Sequence, residues 1–147
     1  MSRTTIQSND ITRAAGFGKV LQVVSGTVAS TPMANTSGYV GSGLSITPSS
    51  TSSKVLIFLS GYTEQTTGSV NEYCEISLYE GTTKISTLVD AWMYLKDIGT
   101  RSMFSTNFIR SPNSTSAVQY RLYHTNASGT ATFVHKQQTW ALLEIEG

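Results

Sequence analysis

The chain has 147 residues, 13% of them charged, about half the usual share, and its net charge is +1. That length fits one domain with a real core, and so little charge leaves no field to gather nucleic acid or anionic lipid. One cysteine, Cys74, excludes an internal disulfide and a cysteine-based metal cluster.

The first 17 residues, MSRTTIQSNDITRAAGF, are polar and weakly basic, with isolated apolar residues Ile6 and Ile11. A segment with so little to bury cannot fold on itself. Two readings stay open: a frayed terminus, or an extended arm that orders against a neighbouring subunit or partner. No apolar h-region marks a signal peptide, and no apolar run is long enough to span a bilayer. The expectation is a soluble protein made in the cytoplasm with Met1 intact. GFG, Gly16 to Gly18, is the hinge into the body, residues 18–147.

From Lys19 the chain reads as short strands between turns. Ser, Thr, Gly and Asn are plentiful, which disfavours helix and suits strands joined by turns. The candidates are Lys19–Val28, Tyr39–Thr47, Lys54–Glu64, Glu72–Glu80 and Thr83–Val89, then Met103–Arg110, Ala117–Thr125, Thr130–His135 and Thr139–Glu146. Only Leu88–Ile98 could make a short helix, and Trp92 and Tyr94 suit a strand equally. Eight or nine strands without helices predict an all-β protein, an antiparallel β-sandwich or jelly roll.

Two strands break the alternation expected of a sheet with one wet face. In KVLIFLS, Val55, Ile57 and Leu59 share one face, and Leu56 and Phe58 share the other. In TWALLEIE, Ala141, Leu143 and Ile145 share one face, and Trp140 and Leu142 the other. A sandwich covers only its inner face, and contiguous exposed apolar patches are unusual on monomers. Leu56, Phe58, Trp140 and Leu142 are therefore expected to be covered by other copies of the chain. A long loop, Val28–Tyr39, is the alternative cover.

Chemistry is hard to find. His124 and His135 lie at strand ends without an acidic cluster, and a zinc site needs three or four ligands; surface imidazoles are expected. No G-x-S-x-G elbow occurs, and the nine acids are scattered singly. No enzyme, metal or cofactor is expected. Asn35, Asn113 and Asn126 begin sequons without a secretion signal. Tyr73, Tyr79, Tyr120 and Tyr123 alternate along strands. Exposed tyrosines could bind sugar, but half-buried ones on a sheet face are commoner. Cys74, with Ile76 and Leu78 on one face, reads as a small core side chain.

GKVLQVV, ITPSSTSSKVLIFLSG, ISLYEGTT, SPNSTSAVQYRLY and LLEIEG occur in that order across residues 18–147. Their ordered combination resembles a recurrent module of tailed-bacteriophage virion proteins, of the kind seen in cyanobacterial and marine phages. That module resembles trimeric jelly rolls of the tumour-necrosis-factor and complement-head kind. The resemblance implies a homotrimer with Tyr120, Leu122, Leu56, Phe58 and Leu142 near the threefold axis, beside Trp140 from the pattern. It departs from fibre members in having only a short arm, without a tail-attachment domain or shaft. The expectation is a head decoration (cement) protein that binds between capsomers and stabilises the capsid. Ile6, Ile11 and Phe17 would anchor its arm on major capsid protein, with Arg3 and Arg13 pairing acidic surface. The alternative is a short tail fibre or receptor-binding tip for host glycan.

Overall fold

A computed structural model describes residues 18–34, 36–68, 72–87, 93–126 and 130–147. Ten strands form two antiparallel sheets, and no helix occurs among the described residues. They are β1 (Val20–Val28), β2 (Thr31–Ala34), β3 (Gly38–Ile46), β4 (Lys54–Thr67), β5 (Glu72–Glu80), β6 (Thr83–Thr87), β7 (Met93–Leu95), β8 (Arg101–Arg110), β9 (Val118–Asn126) and β10 (Thr132–Ile145). Sheet A has the order β1-β10-β4-β8, with β2 also on β10. Sheet B has the order β3-β9-β5-β6, with β7 also on β5. The chain crosses between sheets repeatedly, and its first strand pairs with its last. This is the order of a jelly roll, which wraps non-neighbouring strands together so that few edges remain.

The alternating patterns set the inner faces. Val55, Ile57 and Leu59 of β4, Trp140 and Leu142 of β10, Ile76 and Leu78 of β5, and Tyr120 and Leu122 of β9 meet in one core. All are 2% exposed or less. At Gly43, with φ 66, an added Cβ would lie 2.0 Å from the Tyr120 carbonyl oxygen. Only glycine fits so close an approach, and it accompanies the register shift of β3 between Val40 and Leu44.

Two expectations about elements are corrected, and a third that stood open is decided in part. The two strands expected over 130–135 and 139–146 are one strand, β10. The polar run Lys136-Gln137-Gln138 does not end it, because a bulge between Lys136 and Thr139 absorbs one residue while pairing with β4 resumes. Gln137 takes the left-handed conformation there, φ 51, and Gln138 turns inward. Within Val28–Tyr39, Thr31–Ala34 forms β2 beside residues 132–135 of β10. It extends sheet A in its own plane, so it does not lie over Leu56 and Phe58. Within Leu88–Ile98, residues 93–95 are strand, and 88–92 lie outside the described residues.

Candidate functional site

The residues expected at a subunit interface divide between two environments. Register decides which. Trp140 pairs with Leu59 and Leu142 with Ile57, so both point with the inner face of β4 rather than with Leu56 and Phe58. Tyr120 and Leu122 are also interior, and all four are 0% exposed. Placing them on an outer, subunit-facing surface is therefore corrected: they form the core of a single chain. Burial pushes the Tyr120 phenol up, helped by the Glu80 carboxylate that accepts its hydrogen bond at 3.2 Å. Leu56 is half-buried and Phe58 is 44% exposed on the outer face. The expected arm anchors Arg3, Ile6, Ile11, Arg13 and Phe17 lie outside the described residues.

The outer face of sheet A has two halves. Leu143 pairs with both Leu56 of β4 and Val23 of β1, and Ile109 of β8 pairs with Leu56. Phe58 lies one pair further on, opposite Ala141. Val23 is 59% exposed and Ile109 64%. This half is a contiguous apolar surface crossing four strands. Val23 and Ile109 escape notice in the sequence, because each stands beside another apolar residue, Val24 and Phe108, and nothing local says which of the two faces outward. Only the pairing register joins them to Phe58.

Beyond Ala141 the same face changes chemistry. Thr139 pairs with Ser60 and with Thr27, and Ser60 pairs with Ser105. Next to this row of hydroxyls the β10 bulge bends the sheet, and an open cleft of about 960 Å³ forms. Gly61 sits in its wall, where an added Cβ would come within 2.9 Å of the Phe104 ring.

The interior holds a polar seam instead of the expected surface histidines, which is a further correction. His135 Nδ1 lies 2.8 Å from Thr63 Oγ1, and His135 Nε2 lies 3.0 Å from His124 Nδ1. Both rings are 0% exposed. With both imidazoles neutral, proton donation runs in one direction along this chain, toward or away from Thr63 according to the tautomer, and His124 Nε2 at its end has no partner among the described residues. Burial holds both far below the usual imidazole value, His124 at about 4; His135, where His124 adds to burial, sits at about 3. The alternation of polar and apolar residues in YRLYHTN and FVHKQQ carries the signal: each histidine shares a face with core residues.

Elsewhere the polar groups serve the fold. Burial pushes the Glu144 carboxyl up, but hydrogen bonds from Ser49, Ser53 and Gln22 outweigh it and hold the group at about 2. Tyr39, Tyr79 and Tyr123 on the outer face of sheet B pack on one another with centroids 5.1–5.6 Å apart, Tyr39 edge-on to the other two, and Arg121 covers Tyr39 at 3.6 Å. Cys74 is buried, which pushes its thiol up to about 12. Among the described residues no three His, Cys, Asp or Glu side chains group to hold a metal ion.

No family model and no curated protein matches the chain by sequence. Solved structures match by shape. A chain of infectious bursal disease virus, Gt strain, is 12% identical with a TM-score of 0.52; the match covers all of this chain and 38% of that one. A chain of Bacillus endospore appendages, described as disulfide-linked pili, is 14% identical, with 97% and 100% covered and a TM-score of 0.47. The viral likeness bears on the fold, an antiparallel β-sandwich, in agreement with the strand order.

Proposed function

We propose that the protein is a structural component of a phage virion that assembles as a homotrimer through the apolar half of the outer face of sheet A. The observation that carries this is the contiguous set Val23, Leu56, Phe58, Ile109 and Leu143. Covering Val23, Phe58 and Ile109 removes on the order of 300 Å² of apolar surface, about 7 kcal/mol per protomer at ~25 cal/mol/Å² before the cost of association. The likeness of fold to a viral chain and the phage-module resemblance of residues 18–147 support a place in a particle. Residues 1–17, with Ile6, Ile11 and Phe17 as apolar anchors and Arg3 and Arg13 beside them, suit docking on major capsid protein. Decoration of that kind stabilises a shell because the protein binds only the assembled form. A receptor-binding tip is the second reading, favoured by the cleft next to the apolar surface.

Sedimentation at micromolar concentration tests the assembly. A species three times the 15.9 kDa of one chain is expected, and a single-chain species overturns the proposal. Copy number on purified particles then separates the two places: hundreds of copies mark the head and a handful mark the tail.

A further inference from the structure

We infer that the cleft at the β10 bulge is a binding site for an uncharged oligosaccharide. The inference holds wherever on a particle the protein sits. Six hydroxyl side chains line the cleft: Thr27, Ser30, Ser60, Tyr62, Ser105 and Thr139. The Gln137 carboxamide joins them. None of these seven side chains has a hydrogen-bond partner among the described residues, although hydroxyls elsewhere, such as Ser49, Ser53, Thr63 and Ser77, are bonded. Each unpaired group can both donate and accept. Seven such groups around one concavity match a ligand that carries donors and acceptors on every edge.

The apolar part of the lining fixes the class further. The 86% exposed Met103 offers surface to the C–H faces of a sugar ring, and the Tyr62 ring is held by Arg101 at 5.3 Å. Among the described residues, no carboxylate, amine, guanidinium or imidazole lines the cleft. The charges on adjoining positions, Arg101 and Lys136, both pair with Glu64, at 2.8 and 3.3 Å. An anionic ligand would find no charged group in the lining itself, and a purely apolar one would strand the hydroxyls from water. A neutral polyol meets both conditions. The volume lies within the range of small-ligand sites, which runs to about 1,000 Å³. The walls are preformed: Gln137 is set by its left-handed backbone at a bulge, a device that re-aims a side chain toward a site. The tyrosines of sheet B make a poorer platform, because their rings are spent on one another and on Arg121.

The test is a glycan array carrying neutral, sialylated and sulfated oligosaccharides, probed with the full chain, then titration of the best binder followed by amide NMR shifts. Binding to neutral glycans is expected, insensitive to salt, with shifts at Ser60, Tyr62, Ser105, Gln137 and Thr139. Tyr62→Ala and the cleft-filling Ser105→Phe should each weaken it at least tenfold. Thr139→Val, which keeps the shape and removes one hydroxyl, should weaken it several-fold with unchanged melting. No binding to any neutral glycan, preference for charged glycans, or shifts confined to the Val23–Phe58–Ile109 surface would each overturn the inference. Sedimentation reads assembly separately, so failure here leaves the trimer proposal to its own test.

Discussion

His124 and His135 make the protein sensitive to acid. Their folded values, about 4 and about 3, lie below the ordinary 6.5. The unfolded chain therefore binds protons first as pH falls, and stability that is complete above 6.5 is lost progressively toward 3. Between pH 7 and pH 5 the pair should cost on the order of 3–4 kcal/mol. Denaturant titrations at the two pH values measure this, and His124→Phe should remove about half of the difference. Glu144 acts lower on the scale: its value of about 2 against 4.5 means stability present above 4.5 and lost as pH falls toward 2. Glu144→Ala leaves the Ser49 amide and the Ser53 hydroxyl without their acceptor and should destabilise by about 2–4 kcal/mol in urea melts. Cys74, with its thiol pushed up to about 12, should resist alkylating reagents until the protein unfolds.

Strand β10 is the spine of sheet A, pairing β1, β2 and β4 along its length. Its bulge stores strain at Gln137, a non-glycine residue at φ 51. Gln137→Gly should relieve this and gain up to about 1 kcal/mol in thermal melts, whereas Gln137→Val should lose about 1–2 kcal/mol. The same strand shows what could be read in advance. Alternation in EYCEISLYE placed β5 from Glu72 to Glu80 and put Cys74 in the core. Periodicity could not say which face of β10 accompanies which face of β4, since faces are matched by register, and a bulge changes register invisibly. Trp140 and Leu142 thus read as outer-face residues, whereas both lie inside. β2 stayed hidden because Thr31–Ala34 is short, contains Pro32 and sits inside a turn-rich run. The cleft was illegible for the same reason as the apolar patch: Thr27, Ser60, Ser105 and Thr139 are distant in sequence and adjacent only across paired strands.

Sheet A as a whole carries two surfaces on one side, greasy toward Leu56 and Ile109 and hydroxylated toward Thr139 and Ser105. Phe58→Lys with Ile109→Lys should convert the proposed trimer to single chains while changing folding stability by no more than about 0.5 kcal/mol, because both side chains are exposed in one protomer. Sedimentation beside thermal melting distinguishes that outcome from misfolding. The pairing of the first strand with the last has a mechanical meaning. Val20 lies opposite Ile145, and the Glu146 amide bonds the Lys19 carbonyl at 2.8 Å. Tension applied across positions 18 and 147 falls on one rung of this ladder at a time, like a zip pulled from its open end. An optical trap holding those two points should peel β1 away at low force, whereas anchoring Gly81 and residue 147 should demand more. Any assembly that loads this chain would have to grip it by its flanks.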